Sequence, residues 1–246
     1  MFWSKIWFFV IALVAAVAVT VALLLPRPAA RAHDAAERQR LAVACSVVNI
    51  QLANMASSRI NLTATFARAP EVVRGIDEAG GQAEIEEAAS KKLRLVAADL
   101  IKAIEGDGRP DFAILIDKRG RAVARAKVDE GDFGDVVAGR PLIDDALAGQ
   151  LGDDLWTVGG RLYLVAAAPV IRLDGGANYV GAVVLGQAVS NDIATRLGAP
   201  LGVGVNFFAG QDTVANSKAV VLDREALVAA VGKLAGEPAK DCEANK

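Results

Sequence analysis

The chain has one histidine, His33, and two cysteines, Cys45 and Cys242, so it is poor in the side chains that most often hold metals or move protons near neutral pH. Zinc sites built from several His or Cys ligands are therefore excluded, and a Ser-His-Asp triad would have to use His33. A basic surplus is missing too. Against 29 Asp+Glu stand 27 Lys+Arg, a net charge of −2, which argues against a nucleic-acid face that neutralises phosphates. GxGxxG spacing is lacking; Gly202-Val203-Gly204 falls in a strand pattern, which excludes nucleotide binding there. With no base–nucleophile pair to name, we expect no catalytic residues, no cofactor and no enzymatic activity. Apolar residues, by contrast, are abundant: 53% of the chain is hydrophobic and mean hydropathy is +0.34. That excess directs attention first to a membrane segment.

Residues 6–25 (IWFFVIALVAAVAVTVALLL) carry no charge, and Thr20 is their only polar side chain. At ~1.5 Å per residue they span about 30 Å, the thickness of a bilayer core. Trp3 and Trp7 sit where amphipathic rings favour the interface, and Pro26 ends the apolar run. This apolar core is too long for a cleaved signal peptide, and Arg27 and Arg31 crowd the small-residue site Ala30-Arg31-Ala32. We therefore expect an uncleaved, single-pass anchor over 1–32. Lys5 precedes it, while Arg27, Arg31, Arg38 and Arg40 follow. By charge alone that would keep the following domain in the cytoplasm, but long domains translocate largely regardless of flanking charge. His33, beside the anchor, has a titration range suited to pH sensing.

From His33 to about Ala69 the pattern is helical. Leu41, Cys45, Val48, Leu52, Met55, Arg59, Leu62 and Phe66 alternate spacings of 4 and 3, a heptad seam with one polar break at Arg59. Such a helix either packs on its own domain or forms a homodimer seam over 41–66. Cys45 reads as a small apolar residue on that seam or, if the domain is exported, as half of a disulfide with Cys242. Asn61-Leu62-Thr63 matches a glycosylation acceptor, but inside a helix the match is coincidental. A second helix is expected over 82–105, with Ile85, Ala89, Leu93, Val96, Leu100 and Ile104 as its apolar stripe.

After Pro110 the period changes to two. Strands are expected at 111–117 and 121–127, the latter with one alanine face and one charged, solvated face. An Asp-rich loop (129–135) whose spacing misses the EF-hand pattern follows, read as solvated, then a short helix near 141–148. Further strands are expected at 154–158, 161–171 and 178–188, with a helix over 191–197 capped by Ser190. The order β-β-α-β-β-β with tight turns demands an antiparallel sheet. Residues 201–208 and 213–216, with a helix at 223–235, read as a partial second unit.

FAILIDKRGRAVARA at 112–126, RLYLVAAAPVI at 161–171 and YVGAVVLGQAVSNDIATRLG at 179–198 resemble the Cache family of bacterial extracytoplasmic, PAS-like sensor domains, in a double-Cache-like arrangement. The resemblance implies an α+β fold: a transmembrane anchor (1–32), a helical membrane-proximal region (33–110), a sensor domain with a five-stranded antiparallel sheet (111–198), and a partial second unit with a polar tail (199–246). It also implies a sensor in the cytoplasmic membrane, with its domain outside, that binds a small molecule and signals as a dimer through its long helix. The chain then reads as the sensing part of something longer or as a stand-alone sensor.

In that family type the pocket lies between the sheet and the helical crossover. Trp156, Tyr163 and Tyr179 fall on the last three strands, where rings either stack on a small organic ligand or pack in the core. Arg125 and Arg140 would take a carboxylate through a forked contact, with Asp144 or Asp145 for an amine; otherwise they are solvated charges. The other function class to weigh is a membrane-anchored scaffold that binds a protein partner through the seam.

Overall fold

A computed structural model describes residues 26–129, 131–173, 176, 178–209 and 212–217. The apolar segment 6–25, the expected helix 223–235 and Cys242 lie outside them. The chain divides into two compact units, and the boundary falls between Asn49 and Ile50.

Helix α1, Pro26–Ala67, is 42 residues long and contributes to both units. In the first unit Leu41 and Val43 are exposed and Cys45 is disulfide-bonded, so Cys45 is not the free apolar knob that the heptad register offered. In the second unit the seam residues face their own domain. Leu52 and Met55 pack on one cluster, and Leu62 and Phe66 belong to another. The stretch Arg38–Ala67 is long and apolar enough to cross a membrane by length and composition. Its C-terminal turns bury Thr63, Phe66 and Ala67 in the second unit.

Two helices follow where one was expected. Pro70 does not end the helical region but opens α2, Pro70–Gly80, at a position where its missing N–H costs nothing. Val72, Ile76 and Ala79 form its buried stripe. Gly75 lies inside this helix, where a Cβ would come within 2.6 Å of the end of the Leu93 side chain on the next helix. Helix α3, Glu87–Ala103, starts later than the expected 82 and buries Ser90, Leu93, Ala97 and Ile101. Its buried face is thus rotated from the expected stripe.

The sheet contains β1 (Phe112–Asp117), β2 (Ala122–Ala126), β3 (Gly152–Val158), β4 (Arg161–Arg172) and β5 (Asn178–Ala188), in spatial order β2-β1-β5-β4-β3. All pairings are antiparallel. The crossover helix α4, Pro141–Leu147, separates β2 from β3 in the chain. Both faces are covered, so the central strands read as continuous apolar runs. On one face Ala113, Leu115, Val183 and Leu185 meet α2 and α3; on the other Phe112, Ile116, Ala182 and Val184 meet α4. Strand β2 corrects the sequence reading. All five of its residues are buried, because the Asp-rich loop lies along its edge through Ala122 N–H to Asp135 and Gly134 N–H to Ala122.

Helix α5, Asn191–Gly198, is capped by Ser190 as expected, its hydroxyl accepting from the Ile193 N–H. A short 3₁₀ turn (Ala199–Leu201) leads to the hairpin β6 (Asn206–Ala209) and β7 (Asp212–Asn216), a separate two-stranded sheet. Leu162, Leu164, Val189, Ile193, Leu197 and Ala215 form the cluster under this hairpin, and Leu52 and Met55 pack on it.

Candidate functional site

The layer between the sheet and α4 brings together three of the five candidate residues. Trp156 on β3 pairs directly with Tyr163 on β4, so both side chains point to the same face. The Trp156 ring is buried, with its Nε1 donating to Asp154 Oδ2 at 3.1 Å. Arg140, the residue before α4, sets its guanidinium 4.7 Å above the Trp156 ring centroid. An exposed cation–π contact of this kind is worth about 0.5–1 kcal/mol. Tyr163 meets Phe112 edge-on, the centroids 5.3 Å apart. At the other end of α4, Tyr179 is half exposed and its ring lies against Gly149.

Arg125 is held elsewhere, on β2. Its Nη1 donates to Asp135 Oδ1 at 2.8 Å and to the Asp132 carbonyl, while Nη2 reaches Asp135 Oδ2 at 2.7 Å. This forked contact has a carboxylate of the chain itself as its partner. The hydrogen bonds from Arg125 hold the Asp135 carboxyl below its ordinary range, and those to Asp135 raise the Arg125 guanidinium above its own. Since the folded state depresses the Asp135 carboxyl, the stability it contributes is complete above the unfolded value near ~3.9 and is lost as pH falls through the folded one. We predict that Asp135→Asn lowers the melting temperature at neutral pH. The gap to wild type should close as pH drops below about 4; melting curves across that range check it.

A second arrangement escaped the sequence reading, which took Arg59 as a polar break in a seam. Within the second unit a cleft of about 450 Å³ opens between α1, the 106–108 loop, the end of β5 and α5. Arg59 lines it with its side chain only 9% exposed, and its nearest carboxylate, Asp153 on β3, lies 3.6 Å from Nη2. Burial lowers the guanidinium's pKa, and Asp153 offsets this only in part. Among the described residues, Nε and Nη1 of Arg59 have no acceptor. The signal available in the sequence was the arginine itself, a charge at a position whose neighbours in the register are apolar. Across the cleft, Gln187 donates to the Asp107 carbonyl and Arg196 pairs with the Asp107 carboxylate. Among the described residues no group of three or more His, Cys, Asp or Glu side chains is placed to hold a metal ion.

No family model matches the sequence, and no curated protein matches it. Solved structures do match. The sensor domain of the Vibrio cholerae histidine kinase DctB superposes with a TM-score of 0.52 at 16% identity, covering 86% of this chain and 78% of its own. The fold is like that of this sensor domain. Two looser matches are the E. coli DcuS sensor domain (TM-score 0.44, 15% identity, 61% of this chain and 96% of that one) and the periplasmic domain of V. cholerae LuxQ (0.49, 13%, 75% and 82%). In this fold the crossover α4 covers Trp156 and Tyr163, and the β6–β7 hairpin is the smaller second sheet.

Proposed function

We propose that the chain is a membrane-anchored sensor whose Cache-type domain lies outside the cytoplasm, binds a small molecule and signals through α1. The observation that carries this is the burial of Thr63, Phe66 and Ala67 at the C-terminal end of α1, a helix that follows the apolar segment 6–25 in the sequence. A domain that shifts its contacts with Leu62 and Phe66 thereby biases the helix that the apolar segment precedes in the sequence. The disulfide at Cys45 fits an oxidising compartment. In this reading the ligand enters the α4 layer at Arg140, Trp156, Tyr163 and Tyr179, and displacement of Arg140 from the Trp156 ring opens it. Arg125 acts indirectly, by fixing the loop that leads to α4.

Topology is the test. A reporter active only outside the cytoplasm, fused to Lys246, is expected to be active; activity of a cytoplasm-only reporter instead overturns the reading. For the ligand, Trp156→Ala should abolish thermal stabilisation by any compound that stabilises the wild type through this layer.

Signalling through α1 also calls for a second copy. Val43 and Ile50 are one heptad apart on α1 and both exposed, at 57% and 58%. We propose that the homodimer forms along this part of the 41–66 helix rather than along Leu52 and Met55, which the domain's own core occupies. Ile50→Glu should give monomers of unchanged melting temperature in light scattering. Met55→Glu should instead lower that temperature.

A further inference from the structure

We propose that the cleft between α1 and α5 binds a small monocarboxylate, with Arg59 as its anchor. This goes beyond the sensor reading, which places its ligand in the α4 layer, and does not depend on it. The case begins with an imbalance. Arg59 is a buried cation on α1 with two donor nitrogens, Nε and Nη1, lacking acceptors among the described residues, and its one carboxylate partner stands at 3.6 Å. Leaving charged donors unmet inside a protein is costly, and an ionised acceptor is the group that relieves it best. The same side chain lines both the open cleft and a recess of about 10 Å³ between α1 and β5, bordered by Thr63 and Gln187. An acid entering the cleft therefore meets this guanidinium at its inner wall.

The charge count selects a monoanion. The second arginine of the cleft, Arg196, is already paired with Asp107, so one cation remains under-compensated. Met55, Leu62 and Leu197 line the cleft beside it and suit a short hydrocarbon body, while Asn54 and Ser58 supply polar edges. Asp153 has its side chain 37% exposed and is an exchangeable partner. A ligand carboxylate competes with it for Arg59, loosening α1 from β3 as it binds.

Isothermal titration of butyrate into the full chain in detergent micelles, with butyramide as the neutral isostere, tests the proposal. Saturable binding of butyrate and none of butyramide is expected. Arg59→Met should weaken binding about 10- to 100-fold, the equivalent of one charge-assisted hydrogen-bonded contact. Asp153→Asn, which removes the competing carboxylate, should tighten it several-fold. No saturable heat from butyrate up to ~10 mM, equal binding of the amide, or affinity unmoved by Arg59→Met overturns the proposal. Should Arg59→Met fail to fold, the amide comparison and Asp153→Asn decide, and an unchanged or weaker affinity in the latter overturns it. Trp156→Ala should leave butyrate binding intact, which separates failure of this site from failure of the α4 layer.

Discussion

Asp117→Ala is expected to cost about 3–5 kcal/mol of folding free energy, the range for stripping one partner from a buried ion pair. The Asp117 side chain is fully buried, and its partner Arg121 is 12% exposed, with Nη2 at 2.7 Å and Nε donating at 2.8 Å to Oδ2. Oδ1 accepts the backbone N–H groups of Arg119 and Arg121, both at 2.9 Å, which closes the turn between β1 and β2. Arg121 in turn donates to the carbonyls of Ala83 and Gln82, tying the α2–α3 loop to this turn. Removing the carboxylate leaves the Arg121 guanidinium without its counter-ion and the two backbone N–H groups without this acceptor. At roughly 2–4 °C per kcal/mol for a body of 150–250 residues, the melting temperature should fall by ~6–20 °C. Asp117→Leu combined with Arg121→Leu should recover part of the loss, because no unpaired charge then stays buried. Chemical denaturation of the three proteins measures it. A single variant within about 1 kcal/mol of wild type would show the turn to be held by something else.

Gly181→Ala should be nearly as damaging, at ~3 kcal/mol or more, the upper end of overpacking costs. Gly181 pairs with Asp117 on one side and Val170 on the other, beside the irregularity between Val170 and Ile171. A Cβ there would lie 2.0 Å from the Ile116 carbonyl oxygen and 2.7 Å from Ile76 Cγ2. The first obstacle is backbone in the middle of the sheet and cannot move without parting β1 from β5. Gly75→Ala is the matched control. Its Cβ meets only the end of the Leu93 side chain, and alanine favours a helix over glycine by ~1 kcal/mol, so its cost should be far smaller. Paired urea melts of the two variants separate backbone obstruction from side-chain crowding.

The β-strand pattern was legible because β1, β4 and β5, buried on both faces, read as short continuous apolar runs, and the turns between strands carry glycine. Residues 112–126 and 161–188 announce β1, β2, β4 and β5, the stretches 141–148 and 154–158 announce the crossover helix and β3, and Ser190 announces α5. Helix α2 was hidden by its own packing. Gly75 and Gly80 look like breakers, yet both lie inside the helix, Gly75 facing the end of the Leu93 side chain. The charged side of β2 was misread for a similar reason. Alternation told which side chains differ, not that the Asp-rich loop would fold back and supply Arg125 with its carboxylate.

The site follows the same division. The residues and their types are set by the chain: aromatics on late strands, an arginine before α4, a lone charge at position 59 of an apolar stripe. Period and turn chemistry are local, so they announce the strands, the hairpins between neighbours and the apolar segment, whereas the pairing of β1 with β5 at the centre of the sheet joins distant residues. Which charges find partners is not local. Arg125 is satisfied across 10 residues and Arg59 is left short of acceptors beside Asp153, nearly a hundred positions away in the chain. Only the tertiary structure decides that, because burial and hydrogen-bond geometry are properties of the assembled layers and not of any segment.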